Sequence, residues 1–139
     1  MTRASAVLVV AGCAYLLSWF LPVTDGFPGW QAFRASLGPI WPYESSELLP
    51  WPYVVVAASG ALTNVLFVAV FVDLATRRRL GRVPVVLALA VAAGINLCWL
   101  VITGDGRTDL RIGYYLWVCS FLILIGAAVS LGAFRVRDG

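Results

Sequence analysis

The feature that most constrains this chain is a pair of long apolar runs joined by a short arginine-rich turn. The runs are residues 53–76 and 83–103, and residues 77–82 between them carry four arginines. About 20 apolar helical residues, each rising about 1.5 Å, span about 30 Å of hydrocarbon. Each run is therefore long enough to cross a bilayer. The turn is predicted to be cytoplasmic, because arginine is enriched in cytoplasmic connections.

Two further apolar runs bring the number of predicted membrane spans to four. They cover residues 4–21 and 113–134, and the connections between the four spans are residues 22–52, 77–82 and 104–112. Only 12% of the residues are charged, against about 25% in a soluble domain. We therefore predict an all-α integral membrane protein. Its single domain is expected to be an antiparallel four-helix transmembrane bundle with a structured outer loop.

The long outer loop, residues 22–52, contains one segment with helical periodicity. Residues 29–37 are predicted to form a short amphipathic helix. Its apolar positions are Trp30, Phe33 and Leu37, which recur at a spacing that places them on one side of a helix. Such a helix is expected to lie flat at the membrane surface with its apolar side towards the lipid.

The placement of arginine predicts how the spans are oriented. Arg3, the turn 77–82, and Arg135 with Arg137 all fall on one side of the predicted membrane. On the other side, the long loop has a net charge of −2, from three carboxylates against one arginine, and the second connection is neutral. We predict a multi-pass protein of the plasma membrane or a bacterial inner membrane, with both termini cytoplasmic.

Several residue types that commonly carry chemistry are missing or scattered. Histidine is absent, which removes the commonest general base and metal ligand. Cys13, Cys98 and Cys119 lie in apolar runs without CxxC spacing, and we predict that they are small buried packing residues. The arginines do not form a basic face suited to nucleic acid. No metal, cofactor, catalytic residue or nucleic-acid partner is therefore predicted.

The aromatic residues are distributed one-sidedly. All six tryptophans map to the outer half of the predicted spans or to the outer loop, whereas aromatic belts normally occur at both interfaces. The candidate contact residues are Trp30, Trp41, Trp51, Trp99, Trp117, Tyr114 and Tyr115. One interpretation is an outward-facing platform for a hydrophobic small molecule, another membrane protein or a second copy of this chain. The other is a girdle that anchors the protein in the lipid bilayer.

Two asparagines fall near the middle of the predicted membrane. Asn64 is twelfth in the second span and Asn96 is fourteenth in the third, which runs in the opposite direction. In a tight hairpin the two amides are close enough to bond to each other. Such interhelical bonds average about 0.6 kcal/mol and reach about 2 kcal/mol. Polar contact between helices is one interpretation, and contact with a polar ligand is the other.

Three functional hypotheses remain open on the sequence alone. The leading one is a non-enzymatic accessory or scaffold subunit that acts through its aromatic-rich outer face. The alternative is a small transporter or a carrier that binds lipid or another hydrophobic ligand, with Asn64 and Asn96 near its pocket. The third is a membrane enzyme that uses carboxylates of the outer loop, namely Asp25, Glu44 and Glu47. Glu44 and Glu47 stand in the solvated-looking stretch Glu-Ser-Ser-Glu, which disfavours an enzyme.

Overall fold

A computed structural model describes residues 3–24, 26–38, 41, 51–76, 82–102 and 110–137. Within these ranges the chain is mostly helical. The helices are α1 (Arg3–Phe20), α2 (Gly29–Ser36), α3 (Trp51–Thr76), α4 (Arg82–Leu97), α5 (Trp99–Ile102) and α6 (Ile112–Arg137). Two short antiparallel strands, β1 (Pro22–Thr24) and β2 (Phe27–Pro28), connect α1 to α2.

Three helical segments are long and apolar enough to cross a membrane. They are Val54–Thr76, Val83–Val101 and Ile112–Ser130. The apolar part of α1, Ser5–Phe20, is shorter than these three. By length and composition, the described residues therefore indicate a membrane protein with three candidate spans.

The long helices share one hydrophobic core. α6 packs along both α1 and α4, and α3 packs against α4. Leu89, Phe121, Leu124 and Ala127 are completely buried in this core. The outward faces are also apolar: they carry exposed residues such as Leu16, Leu62, Leu87 and Val101. Helices that are apolar on every side are typical of a protein whose solvent is lipid.

The third predicted span is divided in the structure, although the sequence suggested one continuous run. α4 ends at Leu97, and the Cys98 N–H donates to the carbonyl oxygens of both Gly94 and Ile95, each at 3.1 Å. The next turn is of the tighter 3₁₀ type, since the Val101 N–H donates to the Cys98 carbonyl at 3.0 Å. The Tyr114 hydroxyl donates to the Asn96 carbonyl oxygen at 2.7 Å. A side chain of α6 thus bonds the backbone beside the break.

Residues 22–38 fold back over the end of α1 through close backbone contacts. A Cβ atom on Gly29 would collide with the Ser18 carbonyl oxygen, and one on Gly113 would lie 2.7 Å from the carbonyl oxygens of Leu21 and Pro22. The Gly29 N–H also donates to the Leu21 carbonyl at 3.1 Å. The first turn of α2 therefore approaches the last turn of α1, and the first turn of α6 approaches residues 21–22 just after it, so closely that only glycine fits.

The predicted amphipathic helix is present as α2. The Phe33 ring packs against the Trp19 ring of α1 in a tilted arrangement, with 5.2 Å between the ring centroids. At Phe33 the apolar side of α2 therefore faces the protein, whereas the sequence led us to expect that it faces the lipid. Several other predictions concern residues outside those that the structure describes. They are the arginines of the turn 77–81, the carboxylates Asp25, Glu44 and Glu47, the loop segment 42–50 and the connection 103–109.

Candidate functional site

A cavity of about 320 Å³ lies at one end of the molecule. We call this the α2 end. It is formed by the last turn of α1, the two strands, α2, the first half of α3, α5 and the first turns of α6. Six aromatic side chains line the cavity: Trp19, Phe27, Phe33, Trp99, Tyr114 and Trp117. The other lining residues are small, aliphatic or uncharged polar, and include Ala57, Gly60 and Asn64. Ligand pockets are typically concave, largely apolar and about 300–1,000 Å³ in volume, so this cavity has the size and character of a small one.

Asn64 connects three helices beside the cavity. Its Oδ1 atom accepts two hydrogen bonds of 3.0 Å, one from the Tyr15 hydroxyl of α1 and one from the Trp117 indole N–H of α6. Its Nδ2 atom donates to the Gly60 carbonyl oxygen at 3.0 Å. Because an indole N–H can only donate, the oxygen of the amide must face Trp117. The orientation of Asn64 is thus determined by its neighbours.

Asn96 has a different environment, although it is close to Asn64 in depth. The Thr63 hydroxyl lies 3.0 Å from Asn96 Oδ1 and 2.7 Å from the Gly60 carbonyl oxygen. Asn96 Nδ2 is buried and, among the described residues, has no hydrogen-bond partner. Turning the amide over would pair Nδ2 with Thr63 and leave Oδ1 unpaired instead. In either orientation one polar atom of a completely buried side chain lacks a partner, which typically costs about 1–3 kcal/mol.

The two asparagines therefore do not bond to each other. Asn64 bonds to α1 and α6, and Asn96 bonds to Thr63 of α3. Both make polar contacts with neighbouring helices. Asn64, and not Asn96, lines the cavity.

A connected series of aromatic rings forms much of the cavity wall and continues into the core. In order from α2 to α6, the rings are Phe33, Trp19, Tyr15, Phe67, Phe121, Trp117 and Tyr114. Consecutive centroids lie between 4.2 and 6.2 Å apart. The closest pair is Tyr15 and Phe67, which stack nearly parallel. Aromatic contacts of this kind favour defined ring orientations, so the wall is preformed.

The seven aromatic residues predicted from sequence fall into two groups. Trp99, Tyr114 and Trp117 line the cavity. The other four are exposed at the surface: Trp30 (49%), Trp41 (67%), Trp51 (74%) and Tyr115 (45%). Trp41 is held in place because Arg34 donates to its carbonyl oxygen at 3.0 Å and covers its ring at 4.9 Å. The structure thus separates an aromatic group that lines the cavity from one that is exposed at the surface.

Sequence reasoning missed several residues of the site. Ser18 and Trp19, at the end of the first apolar run, both line the cavity. Tyr15 was not singled out as a site residue, although it bonds to Asn64. One signal was available, because Tyr15, Ser18 and Trp19 are spaced to share one side of a helix. Phe33 was placed correctly on the apolar side of its helix, but not in a pocket.

The cysteine prediction was wrong. Cys13, Cys98 and Cys119 are free and exposed on the outward helix faces, and they are not buried packing residues. Each apolar run forms a helix that is buried on only one side, and the three cysteines lie on the exposed side. Among the described residues, no three His, Cys, Asp or Glu side chains cluster as a metal site would require.

Comparison with protein-family models, with curated proteins and with solved structures finds no match for this chain. The geometry of the cavity is therefore the basis for any functional conclusion. Its described lining contains no Asp, Glu, Lys or Arg. This lining can make apolar contacts and a few hydrogen bonds, which suits the binding of a ligand.

Proposed function

We propose that this protein is a small polytopic membrane protein that binds a lipid or another hydrophobic small molecule in the cavity at the α2 end. The observation that carries the proposal is the cavity itself: about 320 Å³ in volume and lined by six aromatic side chains. Aromatic residues supply large apolar contact areas at little conformational cost. A molecule that dissolves in the bilayer would reach this site from the lipid around it.

The proposed architecture is an antiparallel four-helix transmembrane bundle, with α1 as the fourth span beside the three candidate spans. α1 has 18 residues, or about 27 Å at about 1.5 Å per residue. One side of α1 is buried against α6, while Val9, Leu16 and Leu17 on its other side are exposed and apolar. These exposed side chains favour a lipid environment for α1 as well.

The arginine distribution of the sequence supports an orientation with both termini cytoplasmic. In that orientation the α2 end, with its cavity and its exposed tryptophans, lies on the outer side of a plasma membrane or a bacterial inner membrane. The cavity then opens near the outer interface, where Trp and Tyr are normally enriched.

A second candidate function is an accessory or scaffold subunit, and a separate observation favours it. Trp30, Trp41 and Trp51 are exposed by 49–74% at the same end of the molecule. Exposed tryptophans are enriched where proteins bind partners. A partner membrane protein, or a second copy of this chain, would cover them without entering the cavity.

One pair of variants separates the two candidates. Ala57 lines the cavity, and Ala57→Leu should fill part of it. Ala69 lies on the same helix but is exposed, so Ala69→Leu is the matched control. We expect native mass spectrometry of the full chain, purified in a mild detergent, to show a hydrophobic small-molecule adduct. The adduct should be present in wild type and Ala69→Leu and absent in Ala57→Leu.

The opposite results are equally informative. A wild-type protein without an adduct, or an adduct that survives Ala57→Leu, would overturn the ligand-binding proposal. The scaffold proposal predicts instead a complex with a defined second polypeptide or a homodimer. That complex should be lost on Trp41→Ala with Trp51→Ala and retained in Ala57→Leu.

A further inference from the structure

Most polar side-chain atoms at the cavity already have partners within the protein. The Trp117 indole N–H donates to Asn64, and the Tyr114 hydroxyl donates to the Asn96 carbonyl oxygen. The Ser18 and Ser36 hydroxyls donate to backbone carbonyl oxygens at 2.6 and 2.7 Å. The protons of all four groups are therefore already donated within the protein. The three hydroxyls can still accept a hydrogen bond from a ligand but cannot donate one.

Asn64 differs from these four residues, because its amide nitrogen carries two protons. One N–H of Nδ2 donates to the Gly60 carbonyl oxygen at 3.0 Å. Within the described part of the chain, no second acceptor is bonded to this nitrogen. Oδ1, by contrast, already accepts two hydrogen bonds. Asn64 lines the cavity, so a residue at the cavity wall has a second N–H left for a ligand, and Tyr15 and Trp117 hold the orientation of its amide.

The charge of the cavity restricts the ligand further. No acidic or basic side chain belongs to its described lining. A charged group buried there without a partner would be strongly disfavoured. The described lining thus favours a neutral ligand over one that carries a carboxylate, a phosphate or an ammonium group.

The shape and size of the cavity favour a ring over an acyl chain. The rings of Trp19, Phe33, Trp99, Tyr114 and Trp117 surround the space, and aromatic rings pair well with a further ring in stacked or edge-to-face geometry. A cavity of about 150 Å³ is known to hold benzene. The volume here, about 320 Å³, is roughly twice that. It suits two fused rings or one ring with a short substituent.

We infer that the cavity binds a neutral ring compound with a carbonyl or hydroxyl oxygen, and that this oxygen accepts a hydrogen bond from Asn64 Nδ2. This inference rests on the proposed ligand-binding function and narrows it to a ligand class. The hydrogen bond from the second N–H of Asn64 to the ligand oxygen fixes the position of the ligand. The aromatic wall supplies most of the contact area.

The test uses three probes of ten carbon atoms and the full chain in lipid nanodiscs. The bicyclic ketone 1-tetralone has both the ring and the oxygen, tetralin lacks the oxygen, and 2-decanone lacks the ring. Binding is read from the indole N–H signals of the tryptophans by NMR, at equal mole fractions of probe in the bilayer. We expect 1-tetralone to bind about 2- to 10-fold more tightly than tetralin, the range of one net hydrogen bond. We also expect it to bind more tightly than 2-decanone.

Asn64→Asp provides a second measurement. A buried charge is disfavoured at this position, so we expect the Asp side chain to be neutral. It then keeps an oxygen for Tyr15 and Trp117 and has a single O–H proton, which the Gly60 carbonyl oxygen accepts, so no donor remains for the ligand and the preference for 1-tetralone over tetralin should disappear. The comparison of probes on wild type does not depend on whether this variant folds. Ala57→Leu should weaken the binding of both ring compounds, and Ala69→Leu should leave it unchanged.

The outcomes distinguish this inference from the proposal on which it rests. Equal binding of 1-tetralone and tetralin, both weakened by Ala57→Leu, would overturn the contact with Asn64 and keep a hydrophobic ligand site. Equal or tighter binding of 2-decanone would overturn the preference for a ring and point to an acyl chain. If no probe shifts the cavity tryptophans in a way that Ala57→Leu abolishes, both proposals fail.

Discussion

The two ends of this molecule are held together by different physical means. The core distant from the α2 end consists of aliphatic and alanine side chains such as Leu74, Leu89, Leu124 and Ala127, which fill the space between helices. The α2 end instead combines aromatic rings, side-chain hydrogen bonds and close glycine contacts. The hydrophobic effect does not bring helices together in lipid, so the core distant from the α2 end depends on close packing.

The contrast explains where the cavity lies. Aliphatic side chains on neighbouring helices interdigitate and leave little space. At the α2 end, hydrogen bonds hold Asn64 and Trp117 in one geometry, and backbone contacts at Gly29 and Gly113 hold α2 and α6. Rigid rings held by these contacts do not collapse into the remaining volume. A region stabilised by directed contacts can therefore retain an open pocket beside a close-packed core.

The largest expected effect comes from the aliphatic core. Leu89 is completely buried, and Leu89→Ala should destabilise the protein by about 2–5 kcal/mol through the cavity it leaves. The measurement is reversible unfolding in mixed detergent micelles. Leu87 lies on the same helix but is exposed by 60%, so Leu87→Ala should change the free energy of unfolding little. Equal losses for the two variants would contradict the close-packed core.

The next effect concerns the glycine contacts of the α2 end. Gly113→Ala places a Cβ 2.7 Å from the carbonyl oxygens of Leu21 and Pro22. We expect a loss of about 1–3 kcal/mol, as for other overpacking substitutions. Gly126 is in the same helix with nothing within 4 Å of its added Cβ. Gly126→Ala should be neutral or slightly stabilising, since alanine favours a helix by up to about 1 kcal/mol.

The two asparagines should respond in opposite ways to leucine. Asn64→Leu leaves the Tyr15 hydroxyl and the Trp117 indole N–H without their acceptor, so we expect a loss of about 1–2 kcal/mol. Asn96→Leu removes an amide that is only partly paired, and we expect it to be neutral or stabilising. Unfolding of both variants under the same conditions checks the difference. A larger loss at Asn96 would mean that its amide has a partner in the membrane.

The smallest expected effect concerns the break between α4 and α5. Tyr114→Phe removes the hydroxyl that bonds to the Asn96 carbonyl oxygen at 2.7 Å. We expect a loss of about 0.6 kcal/mol and at most about 1.7 kcal/mol, the range for hydrogen bonds between membrane helices. Amide hydrogen exchange near Cys98 should accelerate at the same time. Tyr115→Phe is the matched control, because Tyr115 is the exposed neighbour.

Helical class and the approximate limits of the long apolar segments could be predicted from the sequence. A run of about 20 apolar residues has few alternatives to a membrane helix, and periodicity identified α2 from Trp30, Phe33 and Leu37. The break at Cys98 could not be predicted in this way, because Asn96 and Tyr114 meet only through tertiary packing. The same limit applies to Cys13, Cys98 and Cys119, since a uniformly apolar run does not show which side faces the core.

For the candidate site, the sequence by itself determined the supply of residues: one-sided aromatics, two asparagines in apolar helices, and no histidine. Only the tertiary structure decided which of them act together. It brought Trp99, Tyr114 and Trp117 to one cavity with Trp19 and Phe33, and it left Trp30, Trp41 and Trp51 at the surface. It also gave Asn64 two donors, and within the described ranges it left one amide atom of Asn96 without a partner. The physical reason is that local composition determines how long each helix is and whether its surroundings are lipid or water. Which side of a helix faces the core depends instead on contacts between residues far apart in the chain.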